Sequence, residues 1–249
     1  MRTTKLLYSL IIITSLFTAC KQNQASKANT TKAITPAAAT PDTLKADLTC
    51  NQEQILIYED KTFASYTEDK IRGDGVVSFN MNVNDKLTIY NEDDSVFGEI
   101  VMNEDMSYLT TNMPPKITAR NVITTNDFGA FEFDADKVTA DKDYLIIYVN
   151  QEKRKVKKTA LTFTYSNWND YIKDSMVSLK SCNLLKDDSR KPVNAAENQV
   201  FKVTAVKGDS IRIKSSEDCA GDQELYKDMQ GWVKWRSADA LLINLSGCN

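Results

Sequence analysis

The chain reads as mainly β, with two small β units in tandem joined by one α-helix. Three observations predict this. Short runs rich in β-branched and aromatic residues recur from Gln54 onward, separated by Asn, Asp and Gly clusters. A single stretch carries apolar residues at helical spacing. The order of elements in the first half also echoes the order in the second.

The chain opens with Arg2 and Lys5 ahead of a largely apolar run, Leu6 to Phe17, ending in Leu16-Phe17-Thr18-Ala19-Cys20. A basic head, a short apolar segment and a small residue before the cut describe a secretory signal. A Cys directly after that small residue makes the segment resemble a bacterial lipoprotein signal, with Leu16 to Cys20 as its lipobox. The resemblance implies that residues 1–19 are removed and that Cys20 carries the lipid. The protein would then be held to the membrane through its N-terminus. Lys21 after the Cys, rather than an acidic residue, favours the outer membrane in the sorting logic of such lipoproteins. An ordinary secretory signal with a coincidental Cys is the plainer alternative.

Residues 20–45 follow as a tether. Lys21 to Leu44 contains no aromatic residue and is Ala, Thr, Asn, Gln and Ser with Pro36 and Pro41. Such a stretch buries too little apolar surface to offset its ordering entropy. A flexible coil of this length spans roughly 25–30 Å.

The first β unit is placed at 46–165. Its strands are read at Gln54 to Tyr58, Val76 to Met81, Lys86 to Tyr90 and Gly129 to Asp134. In the last of these, Phe131 and Phe133 alternate with Glu132 and Asp134, which predicts one buried and one wet face. Tyr144 to Val149 is unbroken apolar, as in a central strand covered on both sides. A turn at Asn150 to Lys153 leads into Arg154 to Lys158.

The linking helix is placed at 166–180. Trp168, Tyr171, Ile172, Met176 and Leu179 form one stripe on a 3.6-residue period. Asn167 is the expected cap, with Asp170 near the positive end. The second unit, 181–249, begins with Ser181 to Lys186. Gln199 to Val206 then turns at Lys207-Gly208-Asp209 into Ser210 to Ser215. A polar loop, Ser216 to Gln230, leads to Gly231 to Arg236 and Leu241 to Leu245.

The echo between the halves is local. Ile89 to Ser95 parallels Leu184 to Ser189, Lys116-Ile117-Thr118-Ala119 parallels Lys202-Val203-Thr204-Ala205, and Phe131-Glu132-Phe133 parallels Ile211-Arg212-Ile213. The order is strand, long loop, hairpin, loop, strand, short turn, strand. With Gly231-Trp232-Val233 and the closing Leu241-Leu242, it resembles bacterial SH3-like domains. The resemblance covers residues 181–246 and, more loosely, 86–164. It implies two small SH3-like β-barrels in tandem that bind peptidoglycan, a peptide or another envelope protein; fold alone does not choose among these.

The 249 residues contain no histidine. That removes the commonest general base, zinc ligand and partner of a catalytic Ser or Cys. No spacing singles out a carboxylate pair, so a non-enzymatic protein without cofactor is expected. The net charge of −3 lacks the basic footprint of a nucleic-acid binder. Apart from Cys20, four cysteines remain: Cys50, Cys182, Cys219 and Cys248. An even number in an exported chain predicts two disulfides, with three pairings open. No C-x-x-C spacing supports a metal site. The SH3-like resemblance implies that Cys182, Cys219 and Cys248 gather at one pole, leaving Cys50 to reach the one left over.

Four groups stand out as candidate sites. Arg154-Lys155-Val156-Lys157-Lys158 is either a patch for an anionic partner or a charged edge strand that blocks aggregation. Asp134, Asp136, Asp141 and Asp143 resemble a calcium loop only loosely, because Thr139 and Leu145 stand where Gly and Glu are needed. Trp168 and Trp235 are assigned to the core. Trp232 alternates with Val233 and shares its face with Lys234 and Arg236, a reasonable contact for an anionic or carboxylate-bearing ligand. The leading reading is a lipid-anchored envelope binding protein. The other is a protective lipoprotein, an immunity factor or inhibitor that blocks a toxin or hydrolase.

Overall fold

The computed structural model describes residues 50, 54–125, 128–193, 199–217 and 226–246. Cys20, the tether, Cys219 and Cys248 lie outside the described residues. The described part is mainly β, with one short helix.

The first half contributes twelve strands: β1 (Gln54–Glu59), β2 (Ala64–Glu68), β3 (Gly75–Met81), β4 (Lys86–Tyr90), β5 (Val96–Met102), β6 (Tyr108–Thr111), β7 (Lys116–Thr118), β8 (Asn121–Thr124), β9 (Gly129–Ala135), β10 (Tyr144–Val149), β11 (Glu152–Lys157) and β12 (Phe163–Asn167). A nine-stranded sheet runs β12-β3-β9-β10-β11-β4-β5-β6, with β8 also pairing β9. A three-stranded sheet runs β1-β2-β7, its β2–β7 pairing parallel. Alternation explains the core. Val77, Phe79 and Met81 of β3, Phe131 and Phe133 of β9, and Leu145, Ile147 and Val149 of β10 all point into one apolar cluster. Phe131 stacks on Phe133, with ring centroids 5.3 Å apart.

Three strands depart from the sequence reading. β9 is buried on both faces, because Glu132 and Asp134 are covered rather than wet. β10 alternates between half-buried and buried positions, so its outward Tyr144, Ile146 and Tyr148 are only partly covered. β11 is no edge strand: it pairs β10 along its length and meets β4 at Lys155↔Tyr90. The β10–β11 turn is tight, with positive φ at both Asn150 and Gln151, as a two-residue hairpin turn of matching twist requires.

The helix α1 (Trp168–Lys173) is shorter than its apolar stripe suggests. Asn167 caps it as expected, its side chain accepting from the Asp170 backbone N–H at 3.1 Å. The chain then turns at Asp174 and becomes β13 (Met176–Leu179). Pairing on both sides of β13 overrides helical spacing: it bonds to the strands that follow as β16 and β21. Met176 and Leu179 fell on the stripe by coincidence of period.

The remaining strands are β14 (Leu185–Lys186), β15 (Pro192–Val193), β16 (Val200–Lys207), β17 (Ser210–Ser215), β18 (Gln230–Lys234), β19 (Arg236–Ser237), β20 (Ala240–Leu241) and β21 (Ile243–Ser246). They form a curled half-barrel sheet in the order β15-β14-β18-β17-β16-β13-β21, plus the β19–β20 ribbon. Phe201, Ile211, Ile213, Val233, Trp235 and Ile243 fill its concave side. The elements that echo these in the first half pair differently: Lys116–Thr118 lies in a short parallel strand, whereas Lys202 to Ala205 belong to a long antiparallel hairpin.

The two halves are packed together. Ile71 and Val76 of the first join Trp168, Ile172 and Trp235 in the second core. The Ile71 N–H donates to the Asp239 carbonyl at 2.7 Å, and the Leu241 N–H to the Asp69 carbonyl at 2.8 Å. Asp69, 5% exposed, is paired with Lys180. Cys50 and Cys182 form a disulfide with Cα atoms 5.4 Å apart. It closes a separation of 132 residues, which places its effect near the upper end of the roughly 2–5 kcal/mol range.

Candidate functional site

Two surfaces concentrate chemistry. The first is the convex face of the curled sheet. In β16, β17 and β18, alternate residues turn away from the core, and directly opposed residues share a face. Trp232 is opposed by Arg212 on one side and Lys186 on the other. Lys214 stands opposite Gln230 and Lys202, and Lys234 opposite Ser210. The face therefore sets an indole among Lys186, Arg212, Lys214 and Lys234. Among the described residues, no Asp or Glu occupies a register position on it. Asp188 reaches Arg212 from an adjoining loop, at 2.9 Å. The Arg212 Nε is buried without a hydrogen-bond partner.

Gly231 makes this arrangement possible. A Cβ there would lie 2.3 Å from the Lys186 carbonyl oxygen, so only glycine lets β14 close onto β18. The Gly-Trp-Val run is thus a close backbone approach, an outward indole and a core valine in sequence. Trp232 is half-buried, Val233 is buried and Lys234 exposed. Trp235 is fully buried, its indole N–H donating to the Gly208 carbonyl at 2.9 Å.

Arg236 does not join Trp232. β18 ends at Lys234, and Arg236 starts the ribbon beyond it. Its Nε donates to Asp209 Oδ1 at 2.7 Å, and its guanidinium lies 4.7 Å from the Trp235 ring centre. Lys186, Arg212 and Lys214 take its place. The sequence carried a signal for them: period-two alternation aligns Arg212 and Lys214 with Trp232 once the hairpin register is known.

The second surface is a cleft of about 520 Å³ where the two halves meet. Arg120, Glu132, Tyr171 and Asn121 line it, with Val122 and Met176 among its apolar walls. Arg120 is 4% exposed and forks onto Asp134, Nε to Oδ1 at 2.7 Å and Nη2 to Oδ2 at 2.8 Å. It also donates to the Glu68 and Lys70 carbonyls, at 2.8 and 3.0 Å. Burial opposes its charge, but the attraction and hydrogen bonds of Asp134 outweigh that and raise its pKa. The Tyr171 hydroxyl donates to Glu132 Oε2 at 2.7 Å. Burial, then the Glu132 charge, holds that hydroxyl well above the ordinary tyrosine range. Nothing in the sequence marked Arg120, Glu132 and Tyr171 as neighbours, since each comes from a different segment.

The other candidates are engaged within the fold. Asp134 is committed to Arg120. Asp136 accepts from Tyr148 at 2.7 Å and from Lys153 at 2.9 Å. In the basic run, Arg154 pairs with Glu152 and lies 4.3 Å from the Phe97 ring centre. Lys155 pairs with Asp94, and Lys158 donates to the Thr139 carbonyl. Trp168 is 6% exposed and donates to the Gly73 carbonyl at 3.3 Å. Comparison of the chain with protein-family models, curated proteins and solved structures gives no match.

Proposed function

We propose that this is a non-enzymatic, lipid-anchored binding protein of the bacterial cell envelope, with an SH3-like second unit whose ligand docks on the Trp232 face. The observation that carries the reading is that face: one partly open indole among four cations on a hydrogen-bonded sheet. An aromatic anchor supplies binding energy and the cations steer an anionic or carboxylate-bearing partner. Peptidoglycan, a peptide or an envelope protein can all present such groups.

The SH3-like reading draws support from strand order. β13, β16, β17 and β18 follow one another across the sheet, and β21 returns to pair β13. The pieces run as strand, long loop, hairpin, loop, strand, short turn, strand. The anchoring half of the proposal rests on Leu16 to Cys20 and the aromatic-free stretch behind it. Diacyl attachment at Cys20 would give stable anchoring, where a single chain would not.

The test has two arms. Cys20→Ser should abolish fatty-acid labelling and detergent partitioning; persistence of both contradicts the anchor. Wild-type protein should be retained on purified peptidoglycan or on an envelope-protein fraction, and Trp232→Ala should lose that retention while still folding. Retention on neither material contradicts the binding role.

A further inference from the structure

Glu132 is 9% exposed, lines the cleft and receives one hydrogen bond, from the neutral Tyr171 hydroxyl. Among the described residues, no Lys or Arg lies within ion-pair distance of it. The nearby Arg120 is already matched by Asp134 through two hydrogen bonds, its other side-chain hydrogen bonds go to backbone carbonyls, and its guanidinium lies 5.2 Å from the Trp168 ring centre. Among the described residues, no hydrogen bond reaches Glu132 Oε1.

Folding does not call for a charge at this place. A glutamine would accept the Tyr171 hydroxyl equally well and would avoid the cost of holding a charge with no ion-pair partner in a largely covered place. A cation that arrives from outside would supply what is missing. The surroundings narrow the chemistry. Val122, Met176 and Leu245 give an apolar wall, while Ser166 and Ser175 offer hydroxyls. Asp174, at the exposed end of the helix, adds a second carboxylate to the lining. The cleft volume of about 520 Å³ falls within the usual range for small-molecule sites.

We propose that this cleft binds a small ligand carrying a protonated primary amine on an apolar stem, with the ammonium on Glu132. An ammonium offers three donors and one positive charge. Oε1 of Glu132 takes one donor and the hydroxyls along the cleft can take others. The stem lies along Val122 and Met176. The site is separate from the Trp232 face and stands whether or not that face binds an envelope partner.

The probe is n-hexylamine at neutral pH, titrated into the full-length protein by calorimetry, beside 1-hexanol and hexanoate of equal chain length. Hexylamine should bind saturably and at least about tenfold more tightly than either control. Glu132→Gln should lower its affinity about tenfold or more without lowering the melting temperature, since the Tyr171 acceptor is kept. A readout on the unmodified protein guards against a variant that fails to fold. Hexylamine, but not hexanoate, should shift the Met176 methyl resonance. Absence of hexylamine binding, equal binding of 1-hexanol, unchanged affinity in Glu132→Gln, or shifts confined to residues outside the cleft would each overturn the proposal.

Discussion

Replacing Arg120 by methionine should be among the most damaging single changes in the chain. Methionine keeps much of the volume but removes every donor. Asp134 would retain only the Arg72 backbone N–H, at 2.9 Å, and the carbonyls of Glu68 and Lys70 would lose their partner. Both side chains are almost wholly buried, 2% and 6% exposed. Removing one member of such a pair leaves an uncompensated charge and costs about 3–5 kcal/mol. For a chain of this size that corresponds to a fall in melting temperature of roughly 6–20 °C. Chemical denaturation with the Cys50–Cys182 disulfide intact is the assay. Arg120→Met combined with Asp134→Leu should lose less than the sum of the two single changes, because it removes both charges together. A loss below about 1 kcal/mol in Arg120→Met, or strict additivity in the double variant, would refute the reasoning.

Trp235→Ala should cost about 3–5 kcal/mol, since it empties a fully buried site and orphans the Gly208 carbonyl, and thermal unfolding checks it. Trp232→Ala should leave the melting temperature nearly unchanged. Gly231→Ala should cost about 1–3 kcal/mol by forcing Lys186 away from β18, again read by unfolding. In alkaline titration, the Tyr58 hydroxyl is pushed up to about 12, first by burial and then by the Asp60 charge, against the lowering effect of its bond to the Tyr108 N–H. The folded state therefore holds this proton where the unfolded chain gives it up. Its stabilising contribution should be complete below pH 10 and fall away between pH 10 and 12, measured as ΔG of unfolding against pH.

Alternation made much of the sheet readable. β3, β4, β10 and β17 are written as β-branched and aromatic runs bounded by turn residues, and the structure keeps them within a residue or so. β2, β6 and β8 went unread, because runs such as Ala-Ser-Tyr-Thr-Glu are too short or too polar to mark a strand by composition; β5 went unread although Val-Phe-Gly-Glu-Ile-Val-Met is largely apolar. β2 has a distant partner, the parallel β7, whereas β5, β6 and β8 pair with strands next to them in the chain. The helix was overextended because distant partners decide that segment: Met176 to Leu179 satisfies a helical period but finds two strands waiting. β9 shows the limit of one-dimensional patterning. Glu132 and Asp134 look solvated until Tyr171 and Arg120 arrive from 39 and 14 residues away to cover them. The Trp232 face was half legible. Its indole and Lys234 followed from the strand itself, whereas Lys186 and Arg212 required the register between strands.

Tryptophan emission gives the most direct test of the binding surface. Of the three tryptophans, Trp168 and Trp235 are buried and Trp232 is half-buried, so Trp232 should dominate acrylamide quenching. Soluble peptidoglycan fragments, or the envelope-protein fraction that retains the protein, should shield that emission as binding saturates. Trp232→Ala should weaken binding by about 2 kcal/mol or more, roughly 30-fold, with its unfolding curve unchanged. Full-strength binding by Trp232→Ala, or binding that leaves the quenching of Trp232 unaltered, would place the ligand elsewhere and contradict the account.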